Sequence, residues 1–203
     1  MRHTFFHRNS GRLSAAVLLA VMCSCAVQRL GTYTVVMDNV EFSPKVPPAG
    51  DVMFTTGTWS DGSTYYLYED PLLHLDGRLT NTRFSFTLTN RHTDSLRIHW
   101  ADAFYIDQHG DSLRVIHNGV DFASRFGPQA PGVLAPGAKQ EDFLLPVTNI
   151  KDEATNYSLW KILYLFYDKE QNVGQKVSFL LPVSYGNVER NYRFFFTINA
   201  WNI

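Results

Sequence analysis

Side chains that could act together chemically are few in this chain. Beyond the first twenty-four residues the histidines are His74, His92, His99, His109 and His117. None stands at the local spacings by which His, Cys or carboxylate sets gather a metal ion. One acid–base pair would follow from strand geometry. If His109-Gly110 is a two-residue hairpin loop, Gln108 faces Asp111, Tyr105 faces Arg114, and Asp102 meets His117. Such a pair reads most simply as a cross-strand ion pair or hydrogen bond at a sheet end, with a metal or catalytic role the bolder alternative. No Gly-x-Ser-x-Gly elbow is present for a nucleophilic serine. Glu69-Asp70 and Glu141-Asp142 are sequence neighbours, which point to opposite faces of an extended chain and read as solvated turns. Trp59, Tyr65, Tyr66 and Tyr68 could form a platform for stacking a sugar ring or gripping a partner. Alternate members of such a run must face a core, so packing is the simpler use.

The elements that would carry these residues are strands. Tyr33 to Met37 reads as a short strand, and Glu41 to Gly50, with three prolines, as a connection. Val52–Trp59 and Ser63–Tyr68 flank the turn signal Ser60-Asp61-Gly62 and predict a hairpin. Phe84, Phe86 and Leu88 alternate with polar residues, and Leu96, Ile98 and Trp100 resume the pattern after a polar turn, which predicts two antiparallel strands. In the next hairpin the two-residue loop would put Phe104, Ile106, Leu113 and Val115 on one face. Asp121 to Ala138, rich in Pro and Gly, predicts an irregular excursion between sheets, returning as a strand near Asp142–Val147. Leu159–Tyr167 is long enough for a helix, yet its alternating aromatics favour a strand. A Gly186-Asn187 turn pairs Leu181 with Tyr192, Phe179 with Phe194 and Val177 with Phe196.

The chain has 203 residues, of which the first twelve carry Arg2, Arg8 and Arg12 and no acid, and the next ten are apolar apart from Ser14. This is the charged and apolar layout of a secretory signal peptide, too short to cross a bilayer, which takes about 20 apolar residues. Met22-Cys23-Ser24-Cys25 resembles the lipobox of bacterial lipoprotein precursors, with Met22 where Leu is usual. That resemblance implies cleavage of residues 1–24, a diacylglycerol thioether on Cys25 (lipidation) and acylation of the new amine, with palmitate-type chains holding the protein at a membrane. Ordinary cleavage after Cys25 is the competing route. Residues 25–32 then read as a lipidated tether and 33–203 as the folded domain. Ala26 is not the Asp that resembles an inner-membrane retention signal, and Val27-Gln28-Arg29 lacks the acidic cluster of surface-exported Bacteroidota lipoproteins. The implied location is the outer membrane, facing the periplasm.

About 180 residues suffice for a self-supporting core, burying about 70% of the unfolded surface. Cys23 and Cys25 are the only cysteines, so no intrachain disulfide is expected in the processed chain. A metal or other cofactor is not expected either. Losing the leader's arginines tips the balance of 18 basic and 19 acidic residues to the acidic side, which argues against nucleic acid as a partner. About nine short strands with Gly and Pro turns predict an all-β, immunoglobulin-like antiparallel β-sandwich. The Cys…Trp…Cys pattern of true immunoglobulin domains is absent.

Phe84 to Pro146, with Ile98-His-Trp100, Tyr105-Ile-Asp107, Gly110 and Arg114-Val-Ile-His117, resembles a group of uncharacterised small Bacteroidota lipoproteins, which brings no activity with it. Asp94-Ser95-Leu96 and Asp111-Ser112-Leu113 each resemble the acceptor motif of the Bacteroidota protein O-glycosylation system, which implies Ser95 and Ser112 as acceptors. The reading that follows is a lipid-anchored binding or accessory component of an envelope assembly, partnered by the membrane and by other envelope proteins. A carbohydrate-binding or adhesin-type module with a glycan partner is the alternative, and an enzyme without a recognisable motif the third class.

Overall fold

The computed structural model describes residues 32–44, 50–60, 62–153, 160–166 and 170–202. Cys25, the signal segment and nearly all of the tether therefore lie outside the described residues. Fourteen strands are present among those described: β1 Thr32–Ser43, β2 Met53–Thr58, β3 Thr64–Glu69, β4 Leu73–Leu79, β5 Phe84–Asn90, β6 Leu96–Ile98, β7 Phe104–Ile106, β8 Ser112–Ile116, β9 Gly132–Leu134, β10 Lys139–Pro146, β11 Ile150–Asp152, β12 Trp160–Ile162, β13 Lys176–Tyr185 and β14 Val188–Asn202. The architecture is all-β. The main hydrogen-bonded path runs β1-β14-β13-β7-β8-β10-β5-β4-β3-β2, with β6 paired to β13 and β9.

Two layers face each other across one core. Phe84 of β5 stacks on Phe179 of β13 at 5.2 Å and meets Phe196 of β14 edge-on at 5.3 Å. Tyr66 and Tyr68 of β3 meet Phe196 and Phe194 of β14 edge-on. All six rings are essentially buried, and full burial of a side chain of this size contributes about 1.5–3 kcal/mol. At one corner the layers join through β8, which pairs with β7 and, at Ile116 and Val115, with β10. At the other corner β1 and β2 meet without a backbone ladder. The Thr56 hydroxyl accepts from the Met37 amide at 2.9 Å and lies 3.4 Å from the Met37 carbonyl. The result is a nearly closed barrel or sandwich.

The C-terminal hairpin has the predicted register, with Leu181 opposite Tyr192, Phe179 opposite Phe194 and Val177 opposite Phe196. The hairpin of β2 and β3 is likewise present, and Phe84, Phe86 and Leu88 point inward. Other expectations are corrected. The first strand continues through Ser43, paired to β14 along its length. Strands β5 and β6 do not pair, because β5 already has β4 and β10 on its two edges. The buried Asn90 side chain instead turns the chain across, donating to the Asp94 and Leu134 carbonyls at 2.9 Å each and accepting from the His92 amide. Trp100 sits in a 3-10 turn, Trp100–Asp102, rather than in a strand.

The central hairpin is shifted by one residue. Asp107 accepts from the amides of His109 and Asp111 at 2.8 and 3.0 Å, and Gly110 has φ +88°. The loop therefore holds three residues, a turn closed by a left-handed glycine. Tyr105 faces Leu113 rather than Arg114, and a one-residue slip exchanges the faces. Ala103, Tyr105 and Val115 enter the core, while Phe104 and Ile106 stay half-buried. Within Leu159–Tyr167 only Trp160–Ile162 is strand, paired to β11. Leu165 and Phe166 are buried outside any strand, and Leu159 and Tyr167 lie outside the described residues. No helix among the described residues is long and apolar enough to cross a membrane.

Candidate binding site

The outer face of the sheet formed by β3, β4, β5 and β10 carries an open groove of about 550 Å³. Alternation builds it. With Tyr66, Leu75, Phe86 and Leu144 pointing into the core, Tyr65, Asp76, Thr87 and Phe143 must point out. The register then aligns them across the sheet, Asp76 beside Thr87 and Thr87 beside Glu141, Arg78 beside Ser85 and Ser85 beside Phe143.

One end of the groove is aromatic. Tyr65 and Trp59 meet edge-on, 4.9 Å between centroids, and Trp59 is 51% exposed. A Cβ on Gly57, opposite Tyr65 in the β2–β3 ladder, would lie 2.2 Å from the phenol ring. Glycine inside a strand thus lets the ring lie across the neighbouring backbone. Of the four aromatic residues singled out in the sequence, Tyr66 and Tyr68 are core, Tyr65 is half-buried and Trp59 is exposed.

The floor is polar. Asp76, Arg78 and Glu141 have no ion pair or side-chain hydrogen bond among the described residues, and the Arg83 guanidinium lies over the Phe143 ring at 4.7 Å. With Asp142 also in the wall, three carboxyl side chains and two guanidinium groups offer donors and acceptors with little net charge.

The structure separates Asp102 from its predicted partner. Asp102 is exposed in the 3-10 turn, and the shifted register does not place His117 across from it. His117 instead stacks on Trp100, rings 4.3 Å apart and 9° from parallel, with Nδ1 3.4 Å from Asp142 Oδ2. Ser95 and Ser112 are both exposed. No group of three or more His, Cys, Asp or Glu side chains among the described residues could hold a metal ion.

Two carboxylates read as solvated turns are in fact buried. Asp142 accepts from the amides of Asn118 and Phe143 and from Gln140 Nε2, at 2.7–2.8 Å. Asp70 accepts from the hydroxyls of Tyr192 and Tyr68, at 2.7 and 3.0 Å, and from the amides of Leu72 and Leu73, at 2.8 Å each. Burial pushes the hydroxyls of Tyr68 and Tyr192 far above the ordinary phenol range, and the neighbouring Asp70 charge pushes them further. A sequence signal existed for Asp70. It precedes Pro71 and a tight return into β4, where an aspartate caps backbone amides.

Comparison with family models, with curated proteins and with solved structures returned no match to this chain.

Proposed function

We propose that this chain is a lipid-anchored envelope protein whose β domain binds saccharide. The observation that carries the reading is the Trp59–Tyr65 pair seated against Gly57 at the end of a groove whose Asp76, Arg78 and Glu141 have no side-chain partner among the described residues. An exposed aromatic face stacks on the apolar face of a sugar ring. Carboxylate and guanidinium groups grip adjacent hydroxyls through charge-assisted hydrogen bonds. A groove of this volume lies within the range of small-molecule sites, and its balanced charges suit a neutral polyhydroxylated ligand better than an ionic one. A glycan array probed with the full chain is expected to retain linear saccharides, and Trp59→Ala to lose them by tenfold or more, since base- or ring-stacking contacts of this kind are worth about 1–3 kcal/mol. Equal retention by the Trp59→Ala variant would remove the reading.

The anchor follows from the lipobox-like tetrapeptide. Cys25 carries the lipid, residues 1–24 are removed, and the domain stands on the periplasmic side of the outer membrane as an accessory component of an envelope assembly. Each buried methylene contributes about 0.8 kcal/mol, so a multiply acylated cysteine holds the chain without help from the fold. Intact-mass measurement on protein extracted from membranes is expected to show the lipid on Cys25; a lipid-free chain beginning at Ala26 would overturn it. The same spectrum reads glycosylation, for which the exposure of Ser95 and Ser112 is favourable. The passage from one sheet to the other at Asn90–Leu96 and the aromatic core between two layers support the finer immunoglobulin-like reading of the architecture.

A further inference from the structure

We infer that the bound saccharide is a linear oligomer that runs from the groove past Asn118 into a second pocket, because Asn118 lines both; this rests on the saccharide reading above. The second cavity measures about 520 Å³ and is walled by Trp100, His117 and the loop Pro128–Gly132. Asn118 stands in the wall of both cavities. Its position is fixed from behind, since Asp142 Oδ1 accepts its amide at 2.7 Å and the turn closes with the Val120 amide 3.3 Å from the His117 carbonyl. The residue is exposed, and its side-chain carboxamide makes no hydrogen bond among the described residues. A free donor and a free acceptor thus stand where the two cavities meet.

The second pocket is built in advance. Arg114 donates to the carbonyls of Phe126 and Gly127, and Gln129 Nε2 donates to the Val115 carbonyl at 2.7 Å. These bonds hold the loop against β8. A Cβ on Gly132 would lie 2.8 Å from Trp100 Nε1, so the loop packs directly on the indole. The His117 imidazole stacks on the same indole, and no protein atom among the described residues hydrogen-bonds its Nε2.

The geometry sets a length. Tyr65, Asp76, Thr87 and Glu141 sit on four adjacent strands, which at about 4.8 Å per strand spans about 14 Å before Asn118 is reached. That is longer than one pyranose ring, and each cavity alone is of small-molecule size. A chain of several rings can therefore stack on Trp59 and Tyr65 at one end and reach the Trp100–His117 pocket at the other.

The test is calorimetry on the full chain with linear oligosaccharides of two to six units, in the β-1,4-glucan and the β-1,4-N-acetylglucosamine series. Affinity is expected to rise at least tenfold from dimer to hexamer in the series that binds. Asn118→Trp, which blocks the junction, is expected to flatten the ladder, holding the hexamer at the dimer's affinity, and Asn118→Ala to reduce the rise in part. Trp59→Ala is expected to weaken every length. A flat ladder in the unaltered protein, or equal loss of dimer and hexamer in Asn118→Trp, overturns the extended site and leaves the Trp59 groove standing. Failure of every oligomer to bind overturns both.

Discussion

Asp70 shows how one carboxylate can organise a core. Four donors converge on it, two of them phenols from strands in opposite layers. Removing the acceptor leaves all four groups desolvated, so Asp70→Ala is expected to lower stability by about 3 kcal/mol or more, whereas Tyr192→Phe costs about 1 kcal/mol. Urea denaturation reads both as a lower midpoint at unchanged slope. The same burial governs alkaline behaviour. Tyr66, Tyr68, Tyr105 and Tyr192 have their hydroxyl pKa values raised in the fold, burial being the main cause in each. A phenol that is harder to ionise when folded adds stability that is whole below about pH 10, its unfolded value, and is lost as the pH rises beyond it. Absorbance at 295 nm is expected to fall short of ten ionised tyrosines until the far-UV circular dichroism collapses, when the remainder appears. The aromatic cluster was legible in the sequence, and so was the rule that alternate members face the core. For Asp70 only the turn before Pro71 could be read; that its carboxylate also gathers two phenols could not, because Tyr68 and Tyr192 meet it only across the two layers.

Among the elements, the two tight hairpins make an instructive contrast. The β13–β14 ladder follows from a Gly-Asn turn between long strands whose ten pairs include Val177–Phe196, Phe179–Phe194 and Leu181–Tyr192, wholly apolar or aromatic on one face. In the β7–β8 hairpin three registered pairs leave the decision to the loop, and there the Asp107 side chain captures two amides and lengthens the turn by one residue. Short strands of mixed apolar character such as Phe104-Tyr-Ile106 fit either face, so patterning alone could not choose. The groove was half-visible for the same reason. Trp59 and Tyr65 could be named, but Glu141 joins Asp76 and Arg78 only because β10, distant in sequence, pairs with β5 of the β4–β5 hairpin. Gly57 is where the element supports the site. Gly57→Ala is expected to drive the Tyr65 ring off β2 and weaken saccharide binding about as much as Trp59→Ala, while the melting temperature falls by only a few degrees, a shift of about 1 kcal/mol at this size. Retained affinity in Gly57→Ala would show that the seat is not needed.

Taken as a whole, the molecule is a sheet that almost closes on itself, fastened at the β1–β2 corner by side chains. Asp38 is a second fastening, tying β1 to the last two strands by accepting from Thr197 Oγ1 at 2.7 Å and Lys176 Nζ at 3.0 Å. Partial burial works to raise its pKa, but these hydrogen bonds outweigh it and hold the carboxyl below its ordinary value of 3.8. A carboxylate favoured in the fold adds stability that is present above the unfolded value and is lost as the pH falls through the lower folded one. Asp38→Asn is accordingly expected to cost under about 1 kcal/mol at neutral pH, as befits a partly exposed pair. The difference from the unaltered protein should vanish once both forms are protonated, which denaturant melts at pH 7 and in strong acid would read.

The long ladder between the first and last strands also gives the molecule a direction of mechanical strength. Thr32 lies opposite Asn202, and eleven registered pairs run from there to Ser43. A pull that separates these two residues opens the ladder like a zipper, one rung at a time and at low force. A pull directed along the axis of β1 instead loads all the rungs at once. The chain is weak to being peeled and strong to being dragged.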